Sequence, residues 1–170
     1  FPVCCKMSAT YRDLTNLIDI PHVKALNITK ESNPAFLFQN CLNVIESRAD
    51  PQILLMIPFK EPVKLFSMSI EAPDDDSAPT EVDLYSNVVN ISFSDVDTMV
   101  PTQSLSIEER DIGKDRTIKL KMTKWENVQS IAVFIKENRG SFSTCVGKLR
   151  FFGKPTHGVS TIEGIKKTIE

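Results

Sequence analysis

Four kinds of residue in this 170-residue chain could do chemistry: its histidines, its cysteines, its clustered carboxylates and its single tryptophan. The two histidines, His22 and His157, lie near opposite ends of the sequence, and neither has a second His or a Cys at metal-ligand spacing. Cys4 and Cys5 are adjacent, which fits neither a C-x-x-C redox pair nor a zinc half-site. Cys41 and Cys145 stand among apolar neighbours, where a thiol behaves as a small hydrophobe. No glycine-rich phosphate cradle and no G-x-S-x-G elbow occurs, and six glycines leave little room for one. The residues predict no catalytic centre, no metal site and no cofactor.

The triplet Asp74-Asp75-Asp76 is the densest acidic run. Clustered carboxylates can hold Ca²⁺, but this run lacks the spacing and the bidentate Glu of an EF-hand loop. A solvated turn is the simpler reading, with a Ca²⁺ or carbohydrate site at one end of the domain as the alternative. Glu108, Glu109 and Asp111 read as a second solvated loop. Trp125 reads as a packing residue rather than a ligand platform. Polar loop tips on a rigid scaffold are the usual binding surfaces. The candidate partner-binding residues are therefore Asp74, Asp75, Asp76, Ser77, Asn138 and Arg139, with Arg139 the one whose type is enriched at interface hot spots.

The elements that must position them are strands. Ile53 to Ile57 and Ile131 to Ile135 are continuously apolar, as strands covered on both faces would be, and the first is expected to end at Pro58. Phe66, Met68 and Ile70 alternate on one expected face; Val82 and Leu84 oppose Glu81 and Asp83. Leu105 and Ile107 form a shorter pair, Ile118, Leu120 and Met122 alternate with lysines, and Leu149 and Phe151 alternate with Lys148 and Arg150. Ala72 to Pro79 and Asn138 to Gly140 carry turn chemistry. Seven or more short strands imply an all-β sandwich or jelly roll. Residues 1–27 read as an N-terminal arm, 28–153 as the sandwich and 154–170 as a tail. Ser160 and Glu163 fit a capping box there, and Ile162, Ile165 and Ile169 recur at helical spacing.

Composition narrows the function. Charged residues make up 25% and the net charge is −2, which offers no basic footprint for nucleic acid or anionic lipid. The basic segment Arg116 to Lys124 reads as the wet face of a strand. No apolar run approaches the roughly 20 residues that span a bilayer. Without a secretory signal, a reduced compartment is expected, and the sequons at Asn27 and Asn90 then carry no meaning. The sequence opens on Phe1, so a fragment, or a natural start at Met7, is expected.

A series of short matches resembles the PITH domain, the proteasome-interacting module often found behind a thioredoxin domain. It runs from Leu54-Leu55-Met56-Ile57-Pro58-Phe59 and Pro62-Val63-Lys64 through Asp75-Asp76-Ser77-Ala78-Pro79 and Val82, Leu84 and Tyr85. It continues through Phe93-Ser94-Asp95, Pro101-Thr102-Gln103 and Trp125-Glu126-Asn127-Val128-Gln129-Ser130 to Phe134-Ile135, Asn138, Gly140 and Phe152-Gly153. Upstream, Tyr11, Asp13-Leu14, Ile18 and Leu26-Asn27 are similar to the segment leading into that domain. The resemblance implies a galactose-binding-like jelly roll, association with the proteasome regulatory particle, and residence in cytoplasm and nucleus. It implies a non-catalytic monomer that binds protein, not nucleic acid or membrane. Disulfide reductase activity does not transfer, because no C-x-x-C occurs and the residues before Tyr11 are too few for a thioredoxin domain. The alternatives are a carbohydrate- or calcium-binding module, or an accessory domain of a thioredoxin-like redox protein.

Overall fold

The computed structural model describes residues 11–156; the tail helix expected after Ser160 lies outside them, as do Cys4, Cys5 and His157. Ten strands lie among the described residues: β1 (Arg12–Asp13), β2 (Lys24–Leu26), β3 (Ile45–Glu46), β4 (Ile53–Glu71), β5 (Pro79–Ser86), β6 (Gln103–Ser106), β7 (Ile118–Lys119), β8 (Val128–Asn138), β9 (Cys145–Val146) and β10 (Lys148–Pro155).

One strand builds the sandwich. β4 does not end at Pro58: it bends there, its register on β8 jumping from Pro58 to Val63. Pro58 and Pro62 bracket the bend, and neither has an N–H to lose from a ladder. Before the bend, β4 lies between β2 and β8, and β5 and β6 continue that sheet outward. After it, β4 pairs with β10 and β7, and β1 adds to the edge of β10. A strand that switches sheets through a bulge or bend is how two packed sheets share a corner.

The main core lies between the sheets. Ile53, Leu55, Ile57, Val82, Leu84, Ile131, Val133 and Ile135 meet Val63, Leu65, Met68, Ile70, Leu149 and Phe151 there. The other faces of β4, β5 and β8 bear Leu54, Tyr85, Ala132 and Phe134, which explains why β4 before its bend and β8 read as continuously apolar. Ile91 and Val96, from the segment that follows β5, complete that second cluster. The segment contains a single helical turn, α1 (Phe93–Val96), which sequence reasoning missed. Asp95 reaches back to accept from the Ser92 N–H at 2.8 Å, so the turn is held by its cap rather than by length.

Three local expectations change. Phe66 does not share a face with Met68 and Ile70. The β10 register passes from Phe152↔Ser67 to Gly153↔Leu65, leaving Phe66 as the extra residue of a bulge, with its ring against Tyr11. Met122 is 46% exposed and begins a 3₁₀ turn, Met122–Lys124, so the strand stops at Lys119 and the wet strand face expected from Arg116 to Lys124 is mostly loop. That turn carries Trp125 into the core, where it is fully buried. Finally, the segment Arg12–Leu26 is built into the sheets through β1 and β2, and Leu14 and Ile18 are buried in the core.

Candidate functional site

The candidate residues converge at one end of the sandwich because three connections end there. The β4–β5 connection carries Asp74 to Ser77, the β8–β9 connection carries Arg139, and a 3₁₀ turn, Glu109–Asp111, closes the third side. The side chain of Arg139 sits between them, only 17% exposed. Its Nη1 donates to Asp74 Oδ1 at 3.4 Å, the Asp75 carbonyl at 3.4 Å and Glu109 Oε1 at 3.3 Å. Asp74 and Glu109 are 94% and 76% exposed, so these ion pairs are screened and position the loops more than they stabilise the fold. An open concavity of about 540 Å³ lies beside Arg139, lined also by Ala72, Pro73, Arg110, Ile112 and Gly113. Glu109, a solvated loop residue on sequence grounds, is part of this site. Nothing local marks it, since the contact joins residues 30 apart.

The other candidates divide by where their polar atoms point. Asn138 is a structural keystone: its amide donates to the Ser141 and Ser143 carbonyls at 3.0 Å and to Thr144 Oγ1 at 3.1 Å. Its Oδ1 accepts from the Gly140 N–H at 2.9 Å. Asp75 likewise turns inward, accepting from the Ser77 hydroxyl and from the Ser77 N–H at 2.8 Å. Asp74 and Asp76 are left facing solvent.

The Ser77 hydroxyl bond, then its N–H bond, holds the Asp75 carboxyl below its ordinary value of 3.8; the nearby Arg139 adds to this. A lowered carboxylate pKa contributes stability above the unfolded-state value and loses it as pH falls through the folded-state value. The Asp75 carboxyl is therefore expected to titrate below the ordinary aspartate value, and its contribution to be lost only as pH falls through that lowered value. A ¹³C-detected NMR titration showing Asp75 midway at or above 3.8 would contradict these hydrogen bonds.

Little else in the described residues is poised for chemistry. His22 Nδ1 lies 2.9 Å from Asp19 Oδ2, but the imidazole is largely exposed and no Ser, Thr or Cys among the described residues is bonded to it. Cys41 and Cys145 are free and half-buried. Burial pushes the Cys145 thiol up, away from the thiolate that a nucleophile needs, and Glu46 and Asp75 add to this against a bond with Ser77. No group of three or more His, Cys, Asp or Glu able to hold a metal occurs among the described residues. No helix among them is long and apolar enough to cross a membrane.

Comparison with known proteins settles the family. The PITH domain model matches residues 5–168. The chain belongs to the PITH domain family. PITH domain-containing protein 1 of Homo sapiens is 32% identical over 135 residues, covering 76% of this chain and 63% of that protein. The Mus musculus protein of the same name is 32% identical over 133 residues, covering 75% and 62%. Thioredoxin-like protein 1 of Schizosaccharomyces pombe is 32% identical over 152 residues, covering 85% and 52%. This PITH chain thus spans between about half and two-thirds of these relatives' length. Among solved structures, a family 32 carbohydrate-binding module of C. perfringens NanJ, in complex with galactose, superposes with a TM-score of 0.60 over 84% of this chain and 98% of that one. The paired modules of Clostridium perfringens ZmpB, solved with GalNAc, give 0.65 over 89% and 38%. Identity to both is 10%, so the likeness is one of fold: the galactose-binding-like β-sandwich expected from the strand pattern.

Proposed function

We propose that this PITH domain is a non-catalytic protein–protein interaction module that docks, as a monomer in cytoplasm and nucleus, on the proteasome regulatory particle. Membership of the PITH family carries the reading. The site supports it: three loops locked around Arg139 present charged, partly concave surface with no activated nucleophile beside it. Prelocked loops bind well because the ordering cost is already met.

The test is co-sedimentation of the purified chain with intact proteasomes, using unlabelled chain as competitor. Saturable binding that the competitor removes is the expected outcome. Absence of binding at micromolar chain would end the docking proposal. Reversal of charge at Asp76, an exposed acid of this end that does not pair with Arg139, is expected to weaken binding roughly fivefold in Asp76→Lys, since mismatched charge across an interface is costly.

A further inference from the structure

Phe142 lies on the same end of the sandwich, in the loop that leaves Arg139, and is 75% exposed. Singly exposed apolar residues are ordinary on protein surfaces. What sets this one apart is how firmly its loop is held. Besides the Asn138 bonds, the Ser141 N–H donates to the Asp76 carbonyl at 3.2 Å and the Ser143 hydroxyl donates to Glu46 Oε2 at 2.8 Å. The Thr144 N–H donates to Ser47 Oγ at 2.8 Å, and the Thr144 hydroxyl to the Pro51 carbonyl. Every residue flanking Phe142 is tied down, while its ring is left in water. A ring carried on a backbone held in this way needs no ordering of its loop when a partner arrives, which is the pattern of a binding anchor.

The charge around it is one-sided. The segments bonded to this loop carry Glu46, Asp50, Asp74, Asp75, Asp76, Glu108, Glu109 and Asp111 against Arg48, Arg110 and Arg139, and Arg110 is paired with Glu108. Arg139 is already engaged by Asp74 and Glu109.

We infer that Phe142 anchors the docking surface, inserting into an apolar pocket of a protein partner whose rim carries lysine or arginine. This rests on the docking function proposed above and specifies the chemistry of its partner.

The experiment compares intact-proteasome co-sedimentation of the wild-type chain with Phe142→Ser, Asp76→Lys, and Val89→Ser as control. Val89 is 70% exposed but follows Asn87, which bonds to Ser130 at the start of β8, whereas Arg139 follows its end. Roughly 30 Å separate them at strand spacing. Phe142→Ser is expected to weaken binding tenfold or more, the control to bind like wild type, and each melting curve to match wild type because the replaced side chains are exposed. Wild-type binding with undiminished Phe142→Ser binding overturns the anchor while leaving the docking function standing. Loss with Phe142→Ser but none with Asp76→Lys overturns the basic rim. If the wild-type chain does not sediment, docking and anchor fall together.

Discussion

Replacing Gly153 with alanine is expected to cost about 3 kcal/mol, although the change adds one methyl group. A Cβ on Gly153 would be driven into the carbonyl oxygen of Lys64 and would stand 2.9 Å from the carbonyl carbon. Both are backbone atoms of β4, so no side-chain rotation relieves the clash. The cause is the bulge at Phe66, where the register between β4 and β10 shifts between Phe152 and Gly153 and brings the two backbones together. For a chain of this size the loss corresponds to a fall in melting temperature of roughly 6 to 12 °C.

Two other glycines separate crowding from backbone strain. Gly140 has φ +129° and nothing within 4 Å of where an alanine methyl would sit, so Gly140→Ala is limited to backbone strain of about 2 kcal/mol. At Gly147 the nearest atom to a new Cβ would be the Glu71 carbonyl oxygen at 3.4 Å, ordinary contact, so Gly147→Ala is expected to be close to neutral. The order 153, 140, 147 in urea midpoints is the check. A Gly153→Ala protein as stable as Gly147→Ala would mean that β4 and β10 do not pack through a bulge.

Gly153 also shows how far the sequence could be read. The alternation of Lys148-Leu149-Arg150-Phe151 is local, and it puts Leu149 and Phe151 in the core where they are found. The bulge opposite is not local: nothing in Val63 to Ile70 announces that one residue is left over, and strict alternation places Phe66 on the wrong face for that reason. The bend of β4 is hidden likewise, since Pro58 signals an interruption of the ladder but not whether the chain turns back or crosses to the second sheet. Cap chemistry hides α1, because four residues give no period to detect. At the site, the sequence points to loop tips by composition. It identifies Asp74 and Arg139 as polar and prominent, but not that Asn138 and Asp75 spend their polar atoms on their own loops. Nor does it show that Glu109 and Phe142 arrive at the same end. Those facts depend on which strand ends are neighbours.

Trp125 is the second position with a large expected effect, and it joins sequence, packing and observation in one residue. It is fully buried, and its Nε1–H donates to Gln103 Oε1 at 3.0 Å. The same oxygen accepts from the Lys121 N–H at 2.9 Å, while the Trp125 carbonyl accepts from the Leu65 N–H at 2.9 Å. Trp125 thus bridges two strands, its indole N–H reaching β6, an edge of the first sheet, and its backbone carbonyl the bent strand β4. Trp125→Ala keeps the carbonyl bond to Leu65 but removes the indole and its bond to Gln103, leaving a cavity where the sheets meet, at an expected cost of about 4 kcal/mol. Gln103→Leu keeps the indole but strands its N–H, at about 1 to 3 kcal/mol. Combining Gln103→Leu with Trp125→Phe should cost less than the two changes summed, because the indole N–H that Gln103→Leu strands is absent from the double mutant. As the only tryptophan, Trp125 also reports on its own environment: native emission should be blue-shifted and move to the red in one step with urea. If Trp125→Ala costs less than about 1 kcal/mol, or native emission already resembles that of a solvated indole, the packing of this ring between the sheets is wrong. A strictly additive double mutant would reject the hydrogen bond while leaving the burial intact.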